Sequence, residues 1–241
     1  MNRNRLLNLL TANKARGQIF NEGNTIYLYD FIAGSEEEAR YWGGVSAESF
    51  AKLLAGMDGD VHLRIDSPGG DVFGGRAIAQ AMREYAGQII VHIDGLAASA
   101  ASYIAIAGDR VIAAPGAFMM IHKAWSLDMG NADDFRSTAD LLDKIDQSIA
   151  ASYAAKAGGD EEEWMSRMAA ETWFTGAEAL DLGLIDEVVD ERQAKAKAKW
   201  DLSAFVNAPA LQIEPDPAAQ AAEEIAARKR QLAVALLSTP A

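Results

Sequence analysis

Apolar and polar positions alternate with two periods along the first half of the chain. Residues 25–32 (TIYLYDFI) are rich in β-branched and aromatic side chains and predict a strand. Residues 45–56 predict a helix that starts at Ser46 as its N-cap and ends at Gly56. In residues 60–66 (DVHLRID), Val61, Leu63 and Ile65 share one face, the signature of a strand. The turn Ser67-Pro68-Gly69-Gly70 follows, then a helical pattern over 71–86 and a strand over 88–93. A small-residue helix is expected over 97–107, with short strands at 110–113 and 117–121. Strands alternating with helices point to an α/β domain with a parallel sheet.

The second half begins with a long helix over 131–157, whose apolar stripe runs through Phe135, Leu142, Ile145, Ile149 and Tyr153. The acidic run from Asp160 to Glu163 opens another helix, at the end where the macrodipole favours negative charge. Residues 172–190 then suggest strand, short helix and strand. After 193 the texture changes. Residues 194–217 hold KAKAK and three prolines and predict a linker; 218–241 are Ala-rich and predict a C-terminal helical extension. The expected organisation is a basic N-terminal arm at 1–24, flexible or a docking helix, an α/β domain at 25–193, the linker and the extension.

Composition narrows the chemistry. The 241 residues include no cysteine, which removes disulfides, thiolate metal sites and a cysteine nucleophile. The net charge of −13 argues against nucleic-acid binding, which needs a basic surface. The charge is uneven. Residues 1–17 carry Arg3, Arg5, Lys14, Arg16 and no acid, whereas 18–193 carry 12 basic and 30 acidic residues. The most apolar stretch, 95–108, is too short to span a bilayer, and the first residues lack the apolar core of a signal peptide. A soluble cytoplasmic protein without membrane partners is expected.

Three segments are candidates for chemistry. Gly69-Gly70, directly after a strand, suits close approach of a ligand backbone and equally a simple tight turn. Ser99 sits between a strand and a small-residue helix, where it suits either an N-cap or a nucleophile stabilised by the helix terminus. Ser102, one turn on, suits packing. His122 ends the apolar run AFMMI and suits a general base or a solvated edge residue. Lys123 offers a Ser–Lys alternative, and His62 and His92 lie within strands, as structural residues do.

These segments together resemble a known family. Ile65-Asp66-Ser67-Pro68-Gly69-Gly70, Gly95-Leu96-Ala97-Ala98-Ser99, Met119-Met120-Ile121-His122 and the run from Phe174 to Asp186 look like the Clp-type serine peptidases, and most like the Clp-like head maturation proteases of tailed phages. The similarity covers about residues 25–190. It implies a Clp/crotonase-like fold of stacked βαβ units with a long projecting helix. It implies Ser99 as nucleophile, His122 as general base, Gly70 and Ala100 as the amides of the oxyanion hole, and Gly69 and Gly70 as a substrate-binding edge. The family's third residue is an Asp two positions before an aromatic. Counted from Phe174 that position is Thr172, with Glu171 adjacent; both stay open, and a Ser99–His122 dyad is the minimum.

The resemblance further implies a homo-oligomeric ring, no metal or cofactor, and a capsid or scaffold protein as substrate in the host cytoplasm. Three alternatives stand beside it: a housekeeping Clp-type peptidase fed by an ATP-dependent unfoldase, a catalytically weak capsid scaffold subunit, and a crotonase-type acyl-CoA enzyme.

Overall fold

The computed structural model describes residues 5–13, 18–189 and 200–209. The chain starts with α1 (Arg5–Ala12), β1 (Gln18–Glu22), β2 (Thr25–Tyr29) and β3 (Ile32–Ala33), then α2 (Glu36–Trp42), β4 (Val45–Ser46) and α3 (Ala47–Leu54). The central part is β5 (Val61–Ser67), α4 (Val72–Glu84), β6 (Ile89–Ala98), α5 (Ala100–Ala105), β7 (Arg110–Ala113) and β8 (Phe118–Ile121). It closes with α6 (Ala132–Ala157), α7 (Glu161–Ala169), β9 (Thr172–Thr175), α8 (Gly176–Asp181) and β10 (Glu187–Val188).

Local chemistry sets these boundaries. Ser46 caps α3 by accepting from the Ser49 amide, and Asp71 caps α4 by accepting from the Gly74 amide. Asn131 and Asp134 form a reciprocal capping box at the start of α6. Asp160 caps α7, and Glu161, Glu162 and Glu163 fill its first turn.

The main sheet runs β1-β2-β5-β6-β7-β10, and β8 and β9 join it off this path. Every pairing in it is parallel except β1 with β2 and β8 with β9. β6 has two partners: Ile90–Ile93 pair with β7, while Leu96–Ala98 pair with β8. The split opens the sheet at the C-terminal end of β6. The alternating apolar positions predicted from sequence, Ile26, Leu28, Val61, Leu63 and Ile65, are buried in the main core. Ile145, Ile149 and Tyr153 anchor the second half of α6 there, while Phe135 and Leu141 of its first half are exposed. The long helix therefore projects, as expected.

Three expectations need correction. The strand expected to stop at 93 continues to Ala98, because Leu96–Ala98 pair with β8, and the helix expected from 97 starts at Ala100. The arm at 1–24 is not separate from the domain: β1 forms a hairpin with β2, and Leu9 of α1 is buried. The linker expected at 194–217 contains a packed segment. Trp200, Leu202, Ala204 and Phe205 form a second, smaller core with Leu9, Leu96, Ala98 and Met120. The expected C-terminal extension, 218–241, lies outside the described residues. Among the described residues, no helix is long and apolar enough to cross a membrane.

The packed segment gives a direct test. Trp200 is fully buried, and its indole N–H donates to Asp66 Oδ1 at 2.9 Å. Trp200→Ala is expected to lower unfolding free energy by about 3–5 kcal/mol in urea titrations. A free linker at this position would leave the midpoint unchanged.

Candidate active site

Two adjacent parallel strands, β5 and β6, end at the site. β5 runs into Pro68-Gly69-Gly70. Gly69 has φ +91°, and a Cβ there would lie 2.7 Å from the Ser99 Cβ. Gly70 has φ +146°, and a Cβ there would collide with the Ile32 carbonyl oxygen. Both positions require glycine. The Ile32 amide donates to the Gly69 carbonyl at 2.8 Å, and the Asp71 amide donates to the Ile32 carbonyl at 2.8 Å. One side of the segment is thus already paired with β3. In this parallel bridge the amide and carbonyl of Gly70 face the other side.

Ser99 occupies the turn from β6 into α5 with φ +54° and ψ −122°. Such a conformation costs a non-glycine residue about 1–3 kcal/mol and is held only by its surroundings. The side chain makes no capping bond to α5, so the N-cap reading of Ser99 does not describe it. The turn is held by its backbone. The Ser99 amide donates to Met120 O at 2.8 Å, and the Ser99 carbonyl accepts from the Ser102 amide at 3.0 Å and from Ser102 Oγ at 2.6 Å. Ser102 Oγ is also 2.8 Å from the hydroxyl of Tyr153, and both residues are buried. Burial keeps Tyr153 far above the usual phenol range, against the lowering effect of the Ser102 hydrogen bond, so it is neutral.

His122 follows β8 directly, with Nε2 2.8 Å from Ser99 Oγ. The ring lies edge-on to Trp125 (centroids 4.5 Å apart) and to Phe205 (5.6 Å). Burial first, and then the positive charge of Arg5, push the His122 pKa down to about 3. At neutral pH the ring is uncharged. Its Nε2 can accept a proton from Ser99. Among the described residues, the amides of Gly70 and Ala100 donate to no acceptor within the chain. Gly70, Ser99 and His122 border one cavity of about 220 Å³, whose walls also include Leu9, Phe73 and Phe205.

The two candidates for the third position make other contacts. Thr172 Oγ1 donates to the Arg167 carbonyl at 2.6 Å. Glu171 is buried, with φ +50°; its Oε2 lies 2.9 Å from Arg5 Nη2, and its Oε1 accepts from the Asn207 amide at 2.7 Å. Among the described residues, neither Thr172 nor Glu171 is hydrogen-bonded to His122. The strand faces separate the two candidates. Phe174 is buried in the main core, whereas Trp173 packs on Phe205 and places its indole N–H 3.5 Å from Glu171 Oε1. Counted from Trp173 instead of Phe174, the position two residues earlier is Glu171. The β8–β9 pairing ends at Ile121 with Thr172; His122 and Glu171 are the residues next to that last pair, and Glu171 leaves the strand conformation at φ +50°.

The other candidates lie elsewhere. Lys123 Nζ is 3.8 Å from the buried carboxylate of Asp146, whose Oδ1 accepts from the Ala124 amide. This pair fixes the chain after His122 and leaves no Ser–Lys dyad. His62 Nδ1 and His92 Nε2 share a hydrogen bond of 2.9 Å on the sheet face, beside the Arg64–Asp94 pair. Burial, then the positive charge of Arg64, lower the His92 pKa to about 4. Sequence reasoning passed over Arg5, Trp125, Tyr153 and Phe205. Arg5 and Phe205 reach the site through contacts distant in sequence, which no local spacing signals; Trp125 lies three residues after His122, and the spacing in α6 marks Tyr153 only as a core position.

Comparison with known proteins gives one family. The Clp protease family model matches residues 45–192. An ATP-dependent Clp protease proteolytic subunit of Bacteroides fragilis is 30% identical over 132 residues, 54% of this chain and 64% of that subunit. Subunit 2 of the same enzyme in Cutibacterium acnes is 29% identical over 157 residues, 64% of this chain and 74% of that subunit. A Bacteroides thetaiotaomicron subunit is 30% identical over 132 residues, 60% of its length. The matched stretch thus spans less than two thirds of either Bacteroides subunit.

The buried imidazole has a consequence for stability. Its folded pKa of about 3 lies below the usual value of 6.5, so the folded chain resists a proton that the unfolded chain accepts. The resulting stability is fully present above pH 6.5 and is lost as pH falls toward 3. Urea titrations at pH 7 and pH 5 are expected to show a larger loss in the wild type than in His122→Asn. Equal losses would mean that His122 is solvated.

Proposed function

Since the chain belongs to the Clp protease family, we propose that it is a serine endopeptidase acting through an acyl-enzyme. The observation that carries this is the 2.8 Å contact between Ser99 Oγ and a neutral His122 Nε2, in a strained turn beside two unpaired amides. Ser99 Oγ attacks the scissile carbonyl and transfers its proton to His122 Nε2. The amides of Gly70 and Ala100 receive the developing oxyanion; one such donor is typically worth about 3 kcal/mol. His122 then protonates the leaving amine, and water releases the acyl group. The substrate lies along the side of Gly70 that β3 leaves open. The opposite side is occupied by Ile32.

The reading extends to assembly. Leu127, Met129, Phe135 and Leu141 are exposed apolar residues on the loop before α6 and on its projecting half. They suit contact with a second copy of the chain in a homo-oligomer. The relatives named above are proteolytic subunits of ATP-dependent enzymes. Processing of a capsid or scaffold protein rests on the sequence resemblance alone.

The test is labelling with a fluorophosphonate together with hydrolysis of an unfolded protein substrate. Both are expected in the wild type, and both are expected to vanish in Ser99→Ala. Hydrolysis by Ser99→Ala at the wild-type rate would overturn the reading, as would an unlabelled wild type in which Ser99 is accessible.

A further inference from the structure

We propose that α1 and residues 200–209 form a clasp that holds this site closed, with Arg5 as a positioning residue that keeps Glu171 away from His122. The inference rests on the serine peptidase reading.

Both segments lie outside the stretch matched to the family, and they are fastened to each other over the site. Arg5 Nε donates to the Ala204 carbonyl at 2.7 Å. The Asn13 side-chain amide donates to the Asp201 carbonyl at 2.9 Å, and Asn13 Oδ1 accepts from the Asp201 amide at 2.7 Å. Leu9 joins Trp200, Leu202, Ala204 and Phe205 in the smaller core. The clasp therefore has its own apolar contacts and its own polar ties.

Its contacts with the site act in two ways. Leu9, Leu10 and Phe205 line the cavity that contains Ser99 and His122, which narrows the space for a peptide. Arg5 forms an ion pair with Glu171 and sits over the Trp125 ring, its guanidinium carbon 4.3 Å from the centroid, while Trp125 in turn meets the imidazole edge-on. Glu171 and His122 are the residues next to the last β8–β9 pair, and the Glu171 carboxylate neighbours the Trp173 indole, which packs on Phe205 as the imidazole does. Among the described residues, no hydrogen bond reaches His122 Nδ1. One carboxylate thus has two competing partners, the guanidinium in the closed form and the imidazole in the open form, and the competition makes the arrangement bistable.

The charged groups around the imidazole are few. Arg5 approaches from α1 and Glu171 from the start of β9, while Lys123 is turned to Asp146 on α6. With Arg5 in place, His122 is a weak base, because burial and a neighbouring cation both disfavour imidazolium. Release of the clasp admits water, removes the cation and frees a carboxylate to accept from Nδ1–H. Each change raises the basicity of Nε2.

The experiment uses the full chain and follows fluorophosphonate labelling of Ser99 by intact mass from pH 5 to 9. Arg5→Met is expected to label at least about tenfold faster than wild type at pH 7, with its half-maximal rate shifted upward toward the ordinary histidine range. Arg5→Lys should return toward the wild-type rate, and adding Glu171→Gln to Arg5→Met should remove the carboxylate's part of the gain. Phe205→Ala loosens the other segment and should also label faster; it decides the question if Arg5→Met does not fold. Arg5→Met and Phe205→Ala both labelling at or below the wild-type rate would overturn the clasp and leave the peptidase reading intact. A chain in which no variant labels at Ser99 would overturn both.

Discussion

The site depends on one steric constraint: the chain after β5 and the turn after β6 meet with no side chain between them. Gly69 lies where any Cβ would press on the Ser99 Cβ, and Ser99 is itself held at φ +54°. At this distance a Cβ on Gly69 would also lie 3.0 Å from the Ala100 amide nitrogen. A side chain there would separate the two backbones. Parallel pairing of β5 with β6 sets the approach, and the second half of β6 carries it forward by pairing with β8. His122 ends β8, so the strand that supports the nucleophile turn also delivers the imidazole.

Strain at Ser99 persists because rigid neighbours oppose its relief. The carbonyl of Ser99 is tied to Ser102, and Ser102 is tied to Tyr153 on α6. Tyr153 belongs to the main core, as do Ala100 and Ala101 directly after Ser99, and a close-packed interior yields little. The cover of the site is different in kind. It belongs to the smaller core, built from two short segments that lie near opposite ends of the chain. Local opening of such a unit requires less free energy than global unfolding. The fold thus combines a fixed catalytic frame with a separable cover.

The frame was legible in the sequence because its signals are local. Val61, Leu63 and Ile65 alternate, Ser46 and Asp160 stand where caps belong, and Gly69-Gly70 marks the end of a strand. Position alone left Ser99 between an N-cap and a nucleophile and His122 between a base and an edge residue; the family resemblance singled them out. The third position was not singled out, because Trp173 and Phe174 are both aromatic and only the strand face separates them: Phe174 enters the main core while Trp173 turns to the site. The cover was not legible either. Residues 194–217 read as a linker from their lysines and prolines, yet Trp200 is buried against Asp66, 134 positions away. Contacts of that range leave no periodicity in either segment.

The uneven charge along the chain acquires a specific meaning at Arg5. A basic N-terminal segment and an acidic body attract one another over a distance of about 10 Å at ordinary ionic strength. That attraction alone selects no partner, because residues 18–193 offer 30 carboxylates. Selection comes from burial. Most surface carboxylates remain hydrated and give a cation little, whereas Glu171 is nearly withdrawn from water and holds its pair at 2.9 Å. A buried carboxylate without a partner is costly, so Glu171 must always be matched, by a guanidinium, by backbone amides or by an imidazole. The same requirement that secures Arg5 in the closed site makes His122 the natural replacement once Arg5 departs. The basic segment and the acidic body therefore meet, at Arg5, in a partly buried pair rather than a surface one.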